Sequence, residues 1–130
     1  MNDINELPVF FILSAENAND SGRSNLYATH ELETILNDYE IPYKMVEGHY
    51  NGHREDAFLI VGHGHEALVG KLAKDFKQEC YLRVDENREA RLVFPQGSEG
   101  IGKWQEHHGA LGEIKSYTKD YQTGRIYVCK

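Results

Sequence analysis

The sequence is poor in cysteine and proline and lacks any long apolar run. Its only cysteines in 130 residues are Cys80 and Cys129, so we expect buried free thiols and not a disulfide framework. No apolar run reaches the length of a membrane span. Residues 1–6 are acidic and lack the basic start of a signal peptide. These absences predict a cytoplasmic protein with no membrane partner.

Positive charge is also scarce. The 14 lysines and arginines are outnumbered by 21 acidic residues, which gives a formal net charge of -7. This balance opposes binding to DNA or RNA, because phosphate neutralisation needs clustered basic side chains. It favours small cationic ligands, weakly and in a salt-dependent way. With 40% hydrophobic residues, a single domain spanning residues 1–130 can bury its own core without a metal.

The order of the apolar segments predicts a β-α-β-β-α-β domain. Strands are predicted at residues 8–14, 43–47, 57–62 and 80–85, and helices at about 26–38 and 65–76. A strand at 90–94, an irregular glycine-rich stretch at 95–110 and a last hairpin within 113–129 follow. This order is typical of a ferredoxin-like α+β sandwich: one mixed or antiparallel sheet with two helices on one face, here with extra C-terminal strands.

The connection between the second and third predicted strands, residues 46–55, is the most conspicuous polar segment. Its polar side chains are those of Glu47, His49, Tyr50, Asn51, Arg54 and Glu55. A simple hairpin needs only a few polar residues, and the glycines Gly48 and Gly52 permit a ligand to approach closely. A solvated loop with an Arg54–Glu55 surface pair is the alternative, and we favour a functional loop.

A second polar segment follows the first strand, where binding residues are often found. Ser14 ends that strand, and Asn25 lies at the start of the predicted helix. Asn25 is either the residue that caps the helix or a ligand contact, and both interpretations remain open.

Four histidines, His49, His53, His63 and His65, lie close together in the sequence. Such a group could bind a metal ion. However, no pair of them is spaced for metal binding on a predicted helix. We therefore interpret them as solvated loop residues and predict no metal site.

Several segments, taken in order, resemble one known family. They are residues 9–15, the Asn- and Arg-containing loop with the His30 helix, Gly48-His49-Tyr50, Glu55 before the third strand, residues 76–82, Leu92-Val93-Phe94 with Gly97, and Gly124-Arg125. Together they resemble the S-adenosylmethionine lyases, formerly described as S-adenosylmethionine hydrolases, which include phage enzymes.

The resemblance implies a ferredoxin-like subunit in a homotrimer, with active sites between subunits. It also implies that a tyrosine and a glutamate of the second loop are catalytic, which here are Tyr50 and Glu55. Substrate contacts are expected from Ser14, Ala15, Glu47, Gly48, His49 and Gln78.

The implied reaction needs neither a metal nor a cofactor. The carboxylate of S-adenosylmethionine attacks its own γ-carbon, which releases methylthioadenosine and leaves homoserine lactone. Tyr50 could face the sulfonium, and Glu55 could anchor the amino group. A phage enzyme of this type would deplete the methyl donor and so blunt host restriction.

Two other functions remain open on the sequence. One is a non-catalytic, regulatory trimer that binds S-adenosylmethionine or an adenine nucleotide. The other is a phage inhibitor that binds a host protein, for which a polar pocket loop is not needed.

Overall fold

The computed structural model describes residues 3–130, and the side chain of His63 falls outside that description. The described chain forms eight strands and two α-helices. The strands are β1 (Phe10–Ser14), β2 (Tyr43–Tyr50), β3 (His53–Val61), β4 (Tyr81–Val84), β5 (Glu89–Phe94), β6 (Gly97–His107), β7 (Tyr117–Asp120) and β8 (Ile126–Cys129). The helices are α1 (Gly22–Asp38) and α2 (Glu66–Asp75), with short 3-10 turns at Ile4–Glu6 and His63–His65.

The strands close into an antiparallel barrel in the order β1-β3-β2-β7-β8-β6-β5-β4. The prediction of a ferredoxin-like sandwich with one open sheet is therefore wrong. The elements up to β4 do follow one another as predicted, but β5 to β8 continue from β4 and return to β2. Pairing both edges in this way removes the unpaired backbone groups that an open sheet would expose.

The predicted irregular stretch at residues 95–110 is largely the long strand β6. Its first half pairs with β5 and its second half with β8, so β6 connects the two parts of the barrel. Gly102 has φ +104°, and a Cβ there would collide with the backbone of Lys130. Glycine at this position allows two backbone segments to approach closely where the strand register shifts. It does not mark an irregular loop.

The prediction of a polar loop at residues 46–55 is also wrong, because β2 and β3 form one continuous hairpin there. Their pairing runs out to Tyr50 opposite His53. The turn is Asn51-Gly52, with φ of 50° and 83°, the left-handed pair that a tight two-residue hairpin requires. The Asn-Gly dipeptide is the sequence signal for this turn. Side chains along the hairpin therefore alternate between the two faces of the barrel wall.

The helix α1 begins earlier than predicted, and its cap is Ser21, whose side chain accepts a hydrogen bond from the Ser24 backbone. Asn25 is not the cap. Its side chain bonds both the backbone N–H and the carbonyl of Asn17, at 2.8 and 3.0 Å. These bonds hold the loop between β1 and α1 in place.

Two hydrophobic clusters stabilise the fold, one on each side of the barrel wall. The outer one packs Phe11, Leu13, Phe58 and Ile60 against both helices. The inner one is built from alternate strand residues, including Phe10, Val46, Leu59, Trp104 and Tyr127. Ile4 and Leu7 join the inner cluster, so the segment before β1 covers one end of the barrel. We call the opposite end, where β1 ends and the β2–β3 hairpin turns, the mouth.

No helix within residues 3–130 combines the length and the apolar character that crossing a bilayer requires.

A buried ion pair lies at the seam where β7 joins β2. Lys44 Nζ donates to Asp120 Oδ2 at 2.6 Å, and the two side chains are only 7% and 1% exposed. Asp120 also accepts the Gln122 backbone N–H. A buried charge is strongly destabilising unless an opposite charge lies beside it. The Lys44–Asp120 pair therefore favours the pairing of β7 with β2.

Replacing Lys44 by methionine should strongly destabilise the protein. The variant Lys44→Met leaves Asp120 buried without its cation, and we expect the free energy of unfolding to fall by about 3–5 kcal/mol in urea denaturation. The matched control is Lys71→Met, which breaks the exposed Lys71–Asp75 pair at 2.8 Å and should stay near wild type. Equal losses in the two variants would contradict a special role for the seam.

Candidate active site

The barrel is not filled to its mouth. A cavity of about 580 Å³ lies inside it, a volume typical of small-ligand sites. Its wall is polar where Ser14, Glu55 and Gln78 contribute, and apolar where Leu82 and Trp104 contribute. A ligand that fits both parts has one charged end and one apolar end.

Most of the residues predicted from the sequence meet at this cavity. Its lining includes Ser14, Gly48, His49, Tyr50, Glu55 and Gln78. These residues come from β1, β2, β3 and the segment before β4, and the closed barrel brings them together. Ala15 and Glu47 are not part of the lining. Ala15 is buried in the cluster beneath the helices, and Glu47 belongs to a separate polar cluster.

Glu55 contributes a half-buried carboxylate to the cavity. It lies opposite Gly48 across the hairpin, where the absence of a side chain leaves room beside it. Burial raises the pKa of Glu55, and the nearby charge of Glu16 raises it further. His53 and a hydrogen bond with Ser14 act in the opposite direction. The site therefore holds a carboxylate whose charge is poorly compensated by the protein.

Glu16, which the sequence reasoning missed, is part of this arrangement. Its carboxylate accepts the Asp56 backbone N–H at 2.5 Å, and its own N–H donates to Ser14 Oγ at 3.0 Å. Gln78 donates from its side chain to the Glu16 carbonyl at 2.9 Å. The sequence did offer a signal for Glu16, since it is an acidic residue that closely follows a buried strand, where binding residues are often found. Two carboxylates near one another favour a cationic ligand.

A second polar cluster covers the outer side of the hairpin. Glu47 bonds the His49 ring at 2.6 Å and accepts from Arg54 at 3.0 Å. The His49 bond is the main reason that the pKa of Glu47 is lowered. Arg54 also bonds Asp56 and Tyr121. Because these groups already satisfy one another, the cluster is a structural brace for the hairpin, and the substrate role of Glu47 stays a prediction.

His49 takes part in both regions. It contributes to the rim of the cavity, while its ring stacks on Tyr117 with centroids 4.1 Å apart. No group of three or more His, Cys, Asp or Glu residues within the described part of the chain is arranged to hold a metal ion.

The two cysteines also line the cavity, and both are free thiols. Burial raises the pKa of Cys129 to about 11. The pKa of Cys80 is raised by burial first and then by the charges of Glu79 and Glu55. Both thiols are therefore protonated near neutral pH and are poor nucleophiles.

Replacing Glu55 by glutamine should stabilise the folded protein at neutral pH. When folding raises the pKa of a carboxyl group, the folded protein becomes less stable as the pH rises from the unfolded value through that raised value. Glu55→Gln removes this cost, so we expect its melting temperature to exceed that of wild type by a few degrees at pH 7. The gain should vanish below about pH 4, where the carboxyl is neutral in both states.

Differential scanning calorimetry across this pH range measures the effect. The control is Glu31→Gln on the exposed face of α1, which should leave the melting temperature nearly unchanged. A lower melting temperature for Glu55→Gln at neutral pH would refute this description of the site.

Comparison with known proteins adds one match. The model of the S-Adenosylmethionine lyase family matches residues 11–130. No curated protein matches the chain. The matched range contains all eight strands of the barrel except the first residue of β1, together with both helices and every residue described at the cavity. The chain therefore belongs to the S-adenosylmethionine lyase family.

Proposed function

We propose that this protein cleaves S-adenosylmethionine by intramolecular attack of the substrate carboxylate, giving methylthioadenosine and homoserine lactone. Family membership supports a lyase-type activity on this substrate. The observation that carries the finer proposal is the meeting of Ser14, Gly48, Tyr50, Glu55 and Gln78 at one cavity. That cavity offers a carboxylate and an aromatic ring to a ligand with two cationic centres, and no activated protein nucleophile.

The reaction is balanced within the substrate itself. A carboxylate oxygen forms a bond to the γ-carbon, and the bond between that carbon and the sulfur breaks. The electron pair of the broken bond goes to sulfur, which leaves as the neutral thioether of methylthioadenosine. The lactone keeps the ammonium group, so no proton moves and no water is consumed.

The contribution of the protein is positioning and desolvation. The attacking carboxylate and the sulfonium are opposite charges that disappear in the reaction, so water around them slows it. A barrel cavity that replaces this water and holds the substrate folded would accelerate ring closure. Depletion of the methyl donor would then blunt host restriction if the protein is encoded by a phage.

Glu55 is assigned to the amino group of the substrate. Its carboxylate lacks a cationic partner strong enough to offset burial and the charge of Glu16, as its raised pKa indicates. An ammonium group beside it would supply that partner and favour the ionised form. Gln78 is assigned to the adjoining polar atoms, since its side chain amide lies at the cavity and bonds the Glu16 carbonyl.

Tyr50 is assigned to the sulfonium, through its phenol oxygen together with the face of its ring. Tyr50 lines the mouth but is 64% exposed in a single chain. A ring with this exposure exerts little cation–π attraction, because water competes for the cation. We therefore also propose a homotrimer in which a neighbouring subunit covers the mouth and completes each site.

Turnover is the direct test of this function. Purified protein incubated with S-adenosylmethionine should release methylthioadenosine, and homoserine lactone should be the first amino-acid product by chromatography. Tyr50→Phe and Glu55→Gln should each lower kcat/KM by about 100-fold or more. Tyr39→Phe, at a surface tyrosine that is 66% exposed, is the control and should keep wild-type turnover.

The possible outcomes separate the candidate functions. No product at high protein concentration would overturn the proposal, and stabilisation by the ligand without turnover would indicate a non-catalytic binding protein. Homoserine appearing before its lactone would indicate hydrolysis.

The assembly can be measured independently by sedimentation equilibrium. We expect a single species of three chains, and a monomer that turns over at the wild-type rate would contradict a site completed by a neighbour. Activity that rises with protein concentration through the assembly transition would support it.

A further inference from the structure

The carboxylate of Glu16 takes the place of a strand carbonyl at the mouth of the barrel. The ladder between β1 and β3 ends where Ser14 pairs with Ala57, so the Asp56 backbone N–H lies just beyond the last pair. Glu16 Oε2 accepts this N–H at 2.5 Å. The donor belongs to the peptide group that joins Glu55 to Asp56, so Glu16 fixes the backbone that carries the Glu55 side chain.

Ser14 holds the same peptide segment from its other side. Its hydroxyl donates to the Asp56 carbonyl at 2.9 Å and accepts the Glu16 backbone N–H at 3.0 Å. The side chain of Gln78 donates to the Glu16 carbonyl at 2.9 Å. Glu16 is therefore joined to β1, to β3 and to the segment before β4, at the point where all three reach the cavity. We call these bonds the mouth clamp.

The negative charge of Glu16 is not needed for the mouth clamp. The amide oxygen of a glutamine also accepts a backbone N–H, and it would place no charge near the Glu55 carboxylate. Like charges close together disfavour one another, and after burial the charge of Glu16 is the next cause of the raised pKa of Glu55. A carboxylate here is the less stable choice for the fold and the better one for binding a cation at the cavity.

The groups around Glu55 supply little positive charge. On β3, the charge of His53 opposes the effects of burial and like charge without reversing them, and on β2, His49 lies at the rim of the cavity. The segment before β4 brings Glu79 and Cys80 to the same cavity, an acidic group and a thiol. No lysine or arginine within the described part of the chain lines it. A cationic group of a ligand is the partner that these carboxylates suit best.

We propose that Glu16 is a positioning residue, which holds Glu55 in place for the ammonium group of the substrate and adds a second negative charge that favours ligands carrying that group. This inference rests on the function proposed above. Glu16 is not part of the cavity lining, so it acts through the backbone of Glu55 and through its charge, without touching the substrate. A ligand that lacks the ammonium group should be insensitive to that charge.

Two unreactive ligands separate the charge of Glu16 from the mouth clamp. Decarboxylated S-adenosylhomocysteine carries the ammonium group and methylthioadenosine lacks it, and neither has a sulfonium to expel. Glu16→Gln keeps an acceptor for the Asp56 N–H and removes the charge. By isothermal titration calorimetry, we expect the Kd of this variant for the amine ligand to rise about fivefold, and its Kd for methylthioadenosine to change by less than about twofold.

Each other result of this titration would overturn the proposal. Wild type that binds neither ligand, or binds both equally, has no site for the ammonium group. A variant that weakens both ligands alike would show that Glu16 is purely structural. Asp20→Asn is the matched control, because it removes one charge from an exposed side chain of the same loop, and it should leave both Kd values unchanged.

The variant Glu16→Asp is the converse test. It keeps the charge but has a shorter side chain, which weakens the bond to the Asp56 N–H. Thermal denaturation should show a lower melting temperature than wild type, whereas the preference for the amine ligand over methylthioadenosine should be kept. Loss of that preference in folded Glu16→Asp would contradict a role for the charge, whether or not Glu16→Gln can be purified.

The pH profile of turnover gives a readout that a purely structural role would not move. Binding of the ammonium group needs ionised Glu55, and removing a neighbouring negative charge lets a carboxyl ionise at lower pH. The acid limb of kcat/KM for S-adenosylmethionine should therefore lie about half a pH unit or more lower in Glu16→Gln than in wild type. An acid limb at the wild-type position would contradict the action of Glu16 on Glu55.

The failures of the two proposals are distinguishable. Turnover by wild type without any preference between the two unreactive ligands would keep the lyase function and remove the role of Glu16. A preference for the amine ligand that Glu16→Gln reduces, in a wild type without turnover, would keep the role of Glu16 in a protein that binds the ligand but does not cleave it.

Discussion

Closure of the sheet is the constraint on which the rest of the structure depends. The return of β7 to β2 pairs the last free edge, and it requires β6 to span from β5 to β8. The same closure brings Gly102 against Lys130 and buries the Lys44–Asp120 pair. An open sheet would place the two helices in the same way, but it would enclose no cavity and would leave Glu55 in water.

The closed wall also explains the electrostatics of the site. Inside a barrel, a carboxylate loses hydration that nearby protein groups restore only in part. Glu55 is in this situation. Burial and the charge of Glu16 raise its pKa by more than Ser14 and His53 lower it. A site that disfavours the charge of its own carboxylate is suited to a cationic ligand, which stabilises that charge on binding. Stability and ligand recognition are therefore opposed at this residue.

The alternation of side chains along the β2–β3 hairpin divides the polar segment into two functions. Glu47, Arg54 and Asp56 form the outer brace, whereas Gly48, Tyr50 and Glu55 line the cavity. A register shifted by one residue would exchange the two sets. The Asn51-Gly52 turn, with its left-handed angles, is what holds the register, so a local turn decides which residues reach a ligand.

The sequence by itself determined the family, the order of elements up to β4 and the choice of Tyr50 and Glu55 as the residues to test, because these follow from local patterns and matched segments. Only the tertiary structure decided that the sheet closes, since the pairing of Val46 with Asp120 joins distant positions that no local pattern links. For the same reason the meeting of Ser14, Glu55 and Gln78 at one cavity became visible only once the barrel placed them. A polar segment can be recognised in the amino-acid sequence, but the face of the barrel wall on which each side chain lies depends on strand register and on closure of the sheet.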